Sequence, residues 1–192
     1  RETFDVLLYP IIRPRGGDFL YTDDEFQIML QDIRLFKELG CDGVVIGMLN
    51  RDGSIDIKRA AQLVEMAYPM GVTFHRAFDR CIDPFVALEQ LVETGCERIL
   101  TSGQLPTVSE GADLIAQLNK QADDRIIIMP GSGLRKENIK WLAEKTGCHE
   151  FHSSLRGKTS SQMEFIHPGF AGSAESYTNN AIDPEEVRAL RK

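Results

Sequence analysis

The sequence has 192 residues, of which 42% are hydrophobic and 27% are charged, and its formal net charge is -7. This length and composition are typical of one globular domain with a sizeable core. The acidic balance argues against a broad nucleic-acid or anionic-membrane surface, because both need clustered positive charge. No stretch approaches the ~20 apolar residues that span a bilayer, so neither nucleic acid nor a membrane is expected as a partner.

The start of the chain and its cysteines favour a cytoplasmic protein. No signal-peptide pattern precedes the first apolar run, and the four cysteines are widely spaced without a C-x-x-C motif. Such thiols are typical of small buried side chains in a reducing compartment. The sequence begins with Arg1 rather than Met and ends within a helical pattern at residues 184–192. We therefore expect it to be an incomplete chain.

Short apolar runs alternate with helical patterns at intervals of roughly 25–35 residues, the length of a β-α unit. Continuous runs rich in β-branched residues are typical of strands that are buried on both faces of a parallel sheet. Six such strands are predicted, at residues 6–12, 44–48, 72–74, 99–101, 126–129 and 151–153.

The helices between these runs carry start and stop signals. Thr22 and Glu25 form a capping-box pattern, and helical spacing of apolar residues follows. The Asp-Pro pair at residues 83–84 opens a second helix, and residues 138–146 repeat the pattern. Each of these three helices ends at a glycine, the residue that most often terminates a helix.

Six β-α units are too few for the closed (β/α)8 barrel of the TIM type, which needs eight strands. An open six-stranded sheet would leave two unpaired edges. We therefore expect residues 1–192 to form a single α/β barrel domain that lacks its first two β-α units. The units occupy residues 1–154, and an irregular tail with a terminal helix occupies residues 155–192. An open doubly wound sheet is the alternative, although no G-x-G-x-x-G motif follows the first strand.

Polar residues follow the predicted strands, where barrels of this type carry their functional groups. Strand alternation predicts that His75 and His152 point into the barrel, together with Thr101 and Glu150. Either histidine would serve as a catalytic acid or base, because imidazole titrates near neutral pH. Glu150 would help to orient His152.

Two of the loops predict a site for a small anion. The segments Gly131-Ser132-Gly133 and Ser153-Ser154 follow the last two predicted strands, where barrels build phosphate sites from backbone N–H groups. Arg13 and Arg15 would clamp the anion. The alternatives are a plain turn for the glycines and surface ion pairs for the arginines. Further ligand-binding positions are Arg76, Asp79, Thr101 and Ser102.

Four segments in order resemble the signature of the CutC copper-homeostasis family. They read PIIRPRGGDF, VTFHRAFD, ILTSGQ and EFHSS, at residues 10–19, 72–79, 99–104 and 150–154. The matching polar positions are Arg13, Arg15, Asp18, His75, Arg76, Asp79, Thr101, Ser102, His152 and Ser153. The resemblance implies a cytoplasmic (β/α)8 barrel that handles copper, with Cu(I) as its ligand. It also implies two further β-α units upstream, whose strands carry cysteines in the family.

The resemblance and the residue chemistry favour different functions. The resemblance favours copper homeostasis with Cu(I) binding, although the upstream thiols are absent from this sequence and the metal ligands are therefore unknown. The pocket is rich in Arg, Ser and Gly, whereas Cu(I) prefers sulfur. Its chemistry favours a barrel enzyme that acts on a small anionic or phosphorylated metabolite. Both functions are left open. Whether the chain is an enzyme and whether it forms a homo-oligomer are left open as well.

Overall fold

A computed structural model describes residues 6–170 and 177–190 of the chain. Its centre is a parallel sheet of four strands, which confirms the predicted α/β class. The strands are β1 (Gly43–Ile46), β2 (Gly71–Phe74), β3 (Arg98–Thr101) and β4 (Ile127–Pro130). They lie side by side in chain order, as expected where each strand is joined to the next by a helical crossover.

Five helices alternate with these strands, and the sequence signals predict the bounds of the first, third and fifth. They are α1 (Asp23–Glu38), α2 (Ile57–Ala67), α3 (Pro84–Thr94), α4 (Ala112–Ala122) and α5 (Ile139–Thr146). Thr22 and Glu25 form the predicted capping box of α1. Asp83 caps α3, which ends at Gly95 in the left-handed conformation. None of the described helices is both long enough and apolar enough to cross a membrane.

Two extended segments flank the sheet at positions where the sequence predicts strands. Ile11 pairs in parallel with Val45, and His152 pairs in parallel with Gly131, each through an isolated bridge. The first of these segments is bonded to β1 at several residues, because the Leu8 and Pro10 carbonyls accept hydrogen bonds from β1 and the Ile12 N–H donates to it. The second is bonded to β4 through the His152 N–H and the Pro130 carbonyl, at 2.9 Å. No backbone hydrogen bond joins the two flanking segments to each other within the described residues, so the sheet is open there.

The core lies between the outer face of the sheet and the helices. Ile46, Phe74 and Ile99 project from successive strands and are fully buried, and Leu63 of α2 and Leu88 of α3 belong to the same buried cluster. Each such side chain contributes about 1.5–3 kcal/mol by leaving water. This packing fixes which face of each strand is turned inward, away from the helices.

The tail differs from the irregular structure expected at residues 155–182. Within it, β5 (Arg156–Ser160) and β6 (Thr178–Ile182) form an antiparallel hairpin. Every residue of β5 is exposed, so no alternation of apolar and polar residues marks this strand in the sequence. A last helix, α6 (Pro184–Leu190), lies within the stretch predicted to be helical, whose residues 191–192 fall outside the described part.

Candidate functional site

The inner face of the sheet borders a cavity of about 530 Å³, called here the inner cavity. The register pairs Thr73 with Arg98, so these two residues project to the same side of the sheet. His75, Glu150 and His152 also line the inner cavity, in the direction that strand alternation predicts.

The structure contradicts the prediction that Thr101 points into the barrel. It shares a face of β3 with Ile99, which is the register partner of the outward-facing Phe74. Thr101 therefore points away from the inner cavity, and Leu100 lines the cavity in its place. Each face of β3 carries one polar and one apolar residue, so the order of residues in β3 alone does not reveal its orientation.

Asp79 accepts a dense set of hydrogen bonds behind the strand ends. Its side chain is only 6% exposed. It accepts hydrogen bonds from the Thr101 hydroxyl at 2.5 Å, the Ser102 N–H at 2.9 Å and the Gln104 N–H at 3.2 Å. Arg76 Nε donates to Asp79 at 2.7 Å, and Arg76 Nη2 donates to the Ser102 hydroxyl at 2.6 Å. This network holds the Arg76 guanidinium in one position.

A second cavity, of about 320 Å³, lies beyond the carboxyl ends of β3 and β4, and it is called here the arginine pocket. Arg76, Arg135 and Arg156 line it, and none of its described lining residues is acidic. Neither Arg135 nor Arg156 forms an ion pair with a carboxylate of the described residues. Arg76 is paired with Asp79 behind the pocket, so the charges that no described carboxylate neutralises are those of Arg135 and Arg156.

Backbone donors also line the arginine pocket. The N–H groups of Ser132, Gly133, Ser153 and Ser154 donate no hydrogen bond within the described part of the chain. Turns that present several free backbone N–H groups together bind anions. Ser132 and Gly133 both have positive φ, at 91° and 77°. The hydroxyls of Ser132 and Ser153 instead donate to carbonyl oxygens of neighbouring loops.

Gly131 has a packing role next to this pocket. A Cβ added there would lie 2.4 Å from Leu100 Cδ1 and 3.2 Å from the Cβ of His152. The N–H of Gly131 is already bonded to the Thr101 carbonyl at 2.9 Å. Gly131 therefore lets the His152 segment approach β4, and it is not among the residues that line the arginine pocket.

His75 is almost completely buried, with 4% of its surface exposed. Its Nδ1 accepts the Ala77 N–H at 3.0 Å, so the proton of the neutral ring is on Nε2, which has no partner in the described residues. Burial lowers the pKa of His75 to about 4. The ring is therefore neutral near pH 7 and presents an N–H donor.

His152 lies between the two cavities and lines both. Partial removal from water lowers its pKa below the usual value, so its imidazole is also neutral near pH 7. Glu150 does not orient His152 as expected, because its carboxylate accepts a hydrogen bond from Arg98 Nε at 3.0 Å. The His152 side chain forms no hydrogen bond with the described residues.

The structure does not bring Arg13 and Arg15 to the arginine pocket. The Arg13 guanidinium lies over the ring of Phe19, at 4.7 Å from its centroid. Arg15 forms ion pairs with Glu25 at 2.6 Å and Asp18 at 3.0 Å, and these hydrogen bonds, first that with Glu25, raise the pKa of Arg15. Arg15 therefore forms surface ion pairs, the alternative to an anion clamp that the sequence analysis gives.

Arg135 and Arg156 are the site residues that sequence reasoning missed. Arg135 follows the predicted glycine turn by two residues, so the position of this loop could have revealed it. Arg156 begins the exposed strand β5, in a segment whose sequence gives no structural pattern. Arg156 reaches the arginine pocket because of the path of the chain before β5, and the local sequence does not specify this path.

The described residues do not fit a Cu(I) site. They contain no group of three or more His, Cys, Asp or Glu side chains that could hold a metal ion. Cys81 is buried next to Gln104, and burial raises the pKa of its thiol to about 12. Burial also raises the pKa of Cys96 and Cys148. Near neutral pH these three thiols are therefore protonated in the metal-free protein, and Cu(I) would have to displace the proton of a buried thiol.

Comparisons with known proteins agree on one family. A model of the CutC family matches residues 1–157. A CutC family protein of Chromobacterium violaceum is 46% identical over an alignment covering 100% of this chain and 79% of that protein. One from Parabacteroides distasonis is 52% identical, covering 93% of this chain and 75% of the relative. A crystal structure of CutC from Streptococcus agalactiae, assigned to copper homeostasis, superposes with a TM-score of 0.71 at 36% identity, covering 74% of this chain and 70% of that one.

Proposed function

The chain belongs to the CutC family, and we propose that it acts in copper homeostasis in the cytoplasm as a (β/α)8 barrel of the TIM type. The Streptococcus agalactiae relative, assigned to copper homeostasis, supports this role. The inner cavity supports the barrel, because none of the described residues that line it belongs to a helix. A doubly wound sheet would have helices on both faces. Two further β-α units would close the barrel between residues 6–12 and residues 151–153.

The ligand proposed for the described residues is a small anion, bound in the arginine pocket. One observation carries this proposal: three guanidinium groups line a cavity that contains no described carboxylate. Arginine forms paired, charge-assisted hydrogen bonds with carboxylates and phosphates. If the protein binds Cu(I), as the family resemblance implies, we expect its ligands outside the described residues.

An enzyme acting on an anionic metabolite is the second candidate function, and His152 favours it. This histidine borders the arginine pocket and is neutral near pH 7, so it can accept a proton from a bound molecule. His75 is less suited to this role, because its pKa of about 4 leaves it a weak base at neutral pH. Loss of turnover in a His152→Gln variant that still binds the anion would support the enzyme.

Titration of inorganic phosphate into the full-length protein tests the proposed anion site. Arg156→Gln is expected to weaken binding at least about tenfold, because a charge-assisted hydrogen bond contributes roughly 1.5–3 kcal/mol. Arg34→Gln is the matched control, since it removes the same charge from an exposed position on α1. Equal phosphate affinities for the two variants, or no phosphate binding by the unmodified protein, would reject the proposal.

A further inference from the structure

We infer that the arginine pocket and the inner cavity together form one site for a phosphate monoester with an uncharged body. The inference rests on the proposed function, because it takes the arginine pocket as the anion site. Leu100 and His152 line both cavities, so the two spaces adjoin at these side chains. A ligand held by its anionic group in the arginine pocket can therefore extend past His152 into the inner cavity.

The charge of the arginine pocket matches a phosphate group better than a carboxylate. A phosphate monoester carries about -1.5 to -2 near pH 7 and has three strong acceptor oxygens. The pocket offers Arg76, Arg135 and Arg156 together with the unpaired N–H groups of its two loops. A carboxylate has only two oxygens and a single charge, and it would leave more of these donors unpaired.

The inner cavity fits a body without charge. Among the described residues that line it, the charged ones are Arg98 and Glu150, which are paired at 3.0 Å. Arg98 is also paired with Glu97 at 3.1 Å, so the wall offers no free positive charge to a second anionic group of the ligand. Leu100 and Met129 contribute apolar surface, and Thr73 contributes a hydroxyl.

His75 gives an independent reason to expect a polar group on this body. It lines the inner cavity, and its buried Nε2–H has no acceptor among the described residues. A buried donor without an acceptor costs roughly 1–3 kcal/mol. A hydroxyl or carbonyl oxygen of the ligand would satisfy it, which favours a hydroxylated body such as that of a sugar phosphate over a purely aliphatic one.

Calorimetric titrations of the full-length protein with ribose 5-phosphate, inorganic phosphate and ribose test this inference. Ribose 5-phosphate is expected to bind at least tenfold more tightly than inorganic phosphate. Met129→Trp, which fills the inner cavity, should abolish this difference and leave the affinity for inorganic phosphate unchanged. Met163→Trp is the control, since Met163 is exposed and lies outside both cavities.

The outcomes separate this inference from the proposed function. If inorganic phosphate binds but ribose 5-phosphate binds no more tightly, the anion site stands and the two-part site is rejected. The same conclusion follows if Met129→Trp and Met163→Trp retain equal preference for ribose 5-phosphate. If none of the phosphates binds, the anion site fails and the two-part site fails with it. Retained phosphate binding by Met129→Trp also shows that this variant is folded.

Discussion

The imidazole of His75 lies so close to Gly47 that a Cβ added at Gly47 would come within 2.2 Å of His75 Nδ1. Gly47 follows β1 and His75 follows β2, and these neighbouring strands pair in register from Gly43 with Gly71 onward. Only the absence of a side chain at Gly47 lets the ring lie across the end of β1. In this position Nδ1 accepts the Ala77 N–H.

Gly47→Ala is therefore expected to displace the His75 ring and to destabilise the protein by about 1–3 kcal/mol, the usual cost of overpacking. Urea unfolding measures this change in the free energy of unfolding. Gly16→Ala is the matched control, because a Cβ at Gly16 would meet no atom within 4 Å. Equal stabilities of the two variants would contradict the close packing of Gly47 against His75.

His75 is expected to make the folded state sensitive to acid. Its pKa is lowered by burial from 6.5 to about 4, so the unfolded chain binds the proton more readily. The stabilising effect of the neutral ring is present above pH 6.5 and is lost as the pH falls toward 4. At pH 5 the loss amounts to about 2 kcal/mol.

Urea unfolding at pH 7 and pH 5 measures this effect. Other groups titrate in the same interval, so the relevant quantity is the difference between the unmodified protein and His75→Gln. The variant should lose about 2 kcal/mol less on acidification than the unmodified protein. Identical pH dependence of the two proteins would show that the His75 ring is not held neutral by burial.

The sequence predicts the fold better than the site, for physical reasons. Strands buried on both faces leave continuous apolar runs, and Thr22 with Glu25 marks the start of α1 directly. The exposed strand β5 leaves no such pattern. Arg15 follows a predicted strand, as a ligand-binding residue would. Its ion pair with Glu25 at 2.6 Å depends on how α1 packs, and the position of Arg15 after the strand does not specify that packing.

Asp79→Asn is expected to destabilise the protein by about 2–4 kcal/mol, because it removes a nearly buried charge that accepts several hydrogen bonds. It should also weaken phosphate binding, since Arg76 loses the partner that positions it. Urea unfolding and phosphate titration measure the two effects.

Asp113→Asn is the control for this substitution. Asp113 is paired with Lys145 at 2.6 Å, but 81% of its side chain is exposed, and such surface pairs contribute about 0–1 kcal/mol. A loss for Asp79→Asn no larger than that for Asp113→Asn would mean that the network around Asp79 does not hold the strand ends together. Unchanged phosphate affinity in Asp79→Asn would mean that Arg76 needs no positioning by Asp79.

Anaerobic titration of the 192-residue chain with Cu(I), against a competing chelator, is expected to show no tight stoichiometric site. Cys81, Cys96 and Cys148 are buried, and burial raises the pKa of each thiol, so Cu(I) would have to displace the proton of a buried thiol. Cys41 is the more accessible cysteine, and Cys41→Ser should remove whatever weak binding a surface thiol gives. Cys81→Ser should leave the titration unchanged. Tight binding of one equivalent that is lost in Cys81→Ser or His75→Gln would instead place copper at the strand ends and overturn the assignment of this region to an anion.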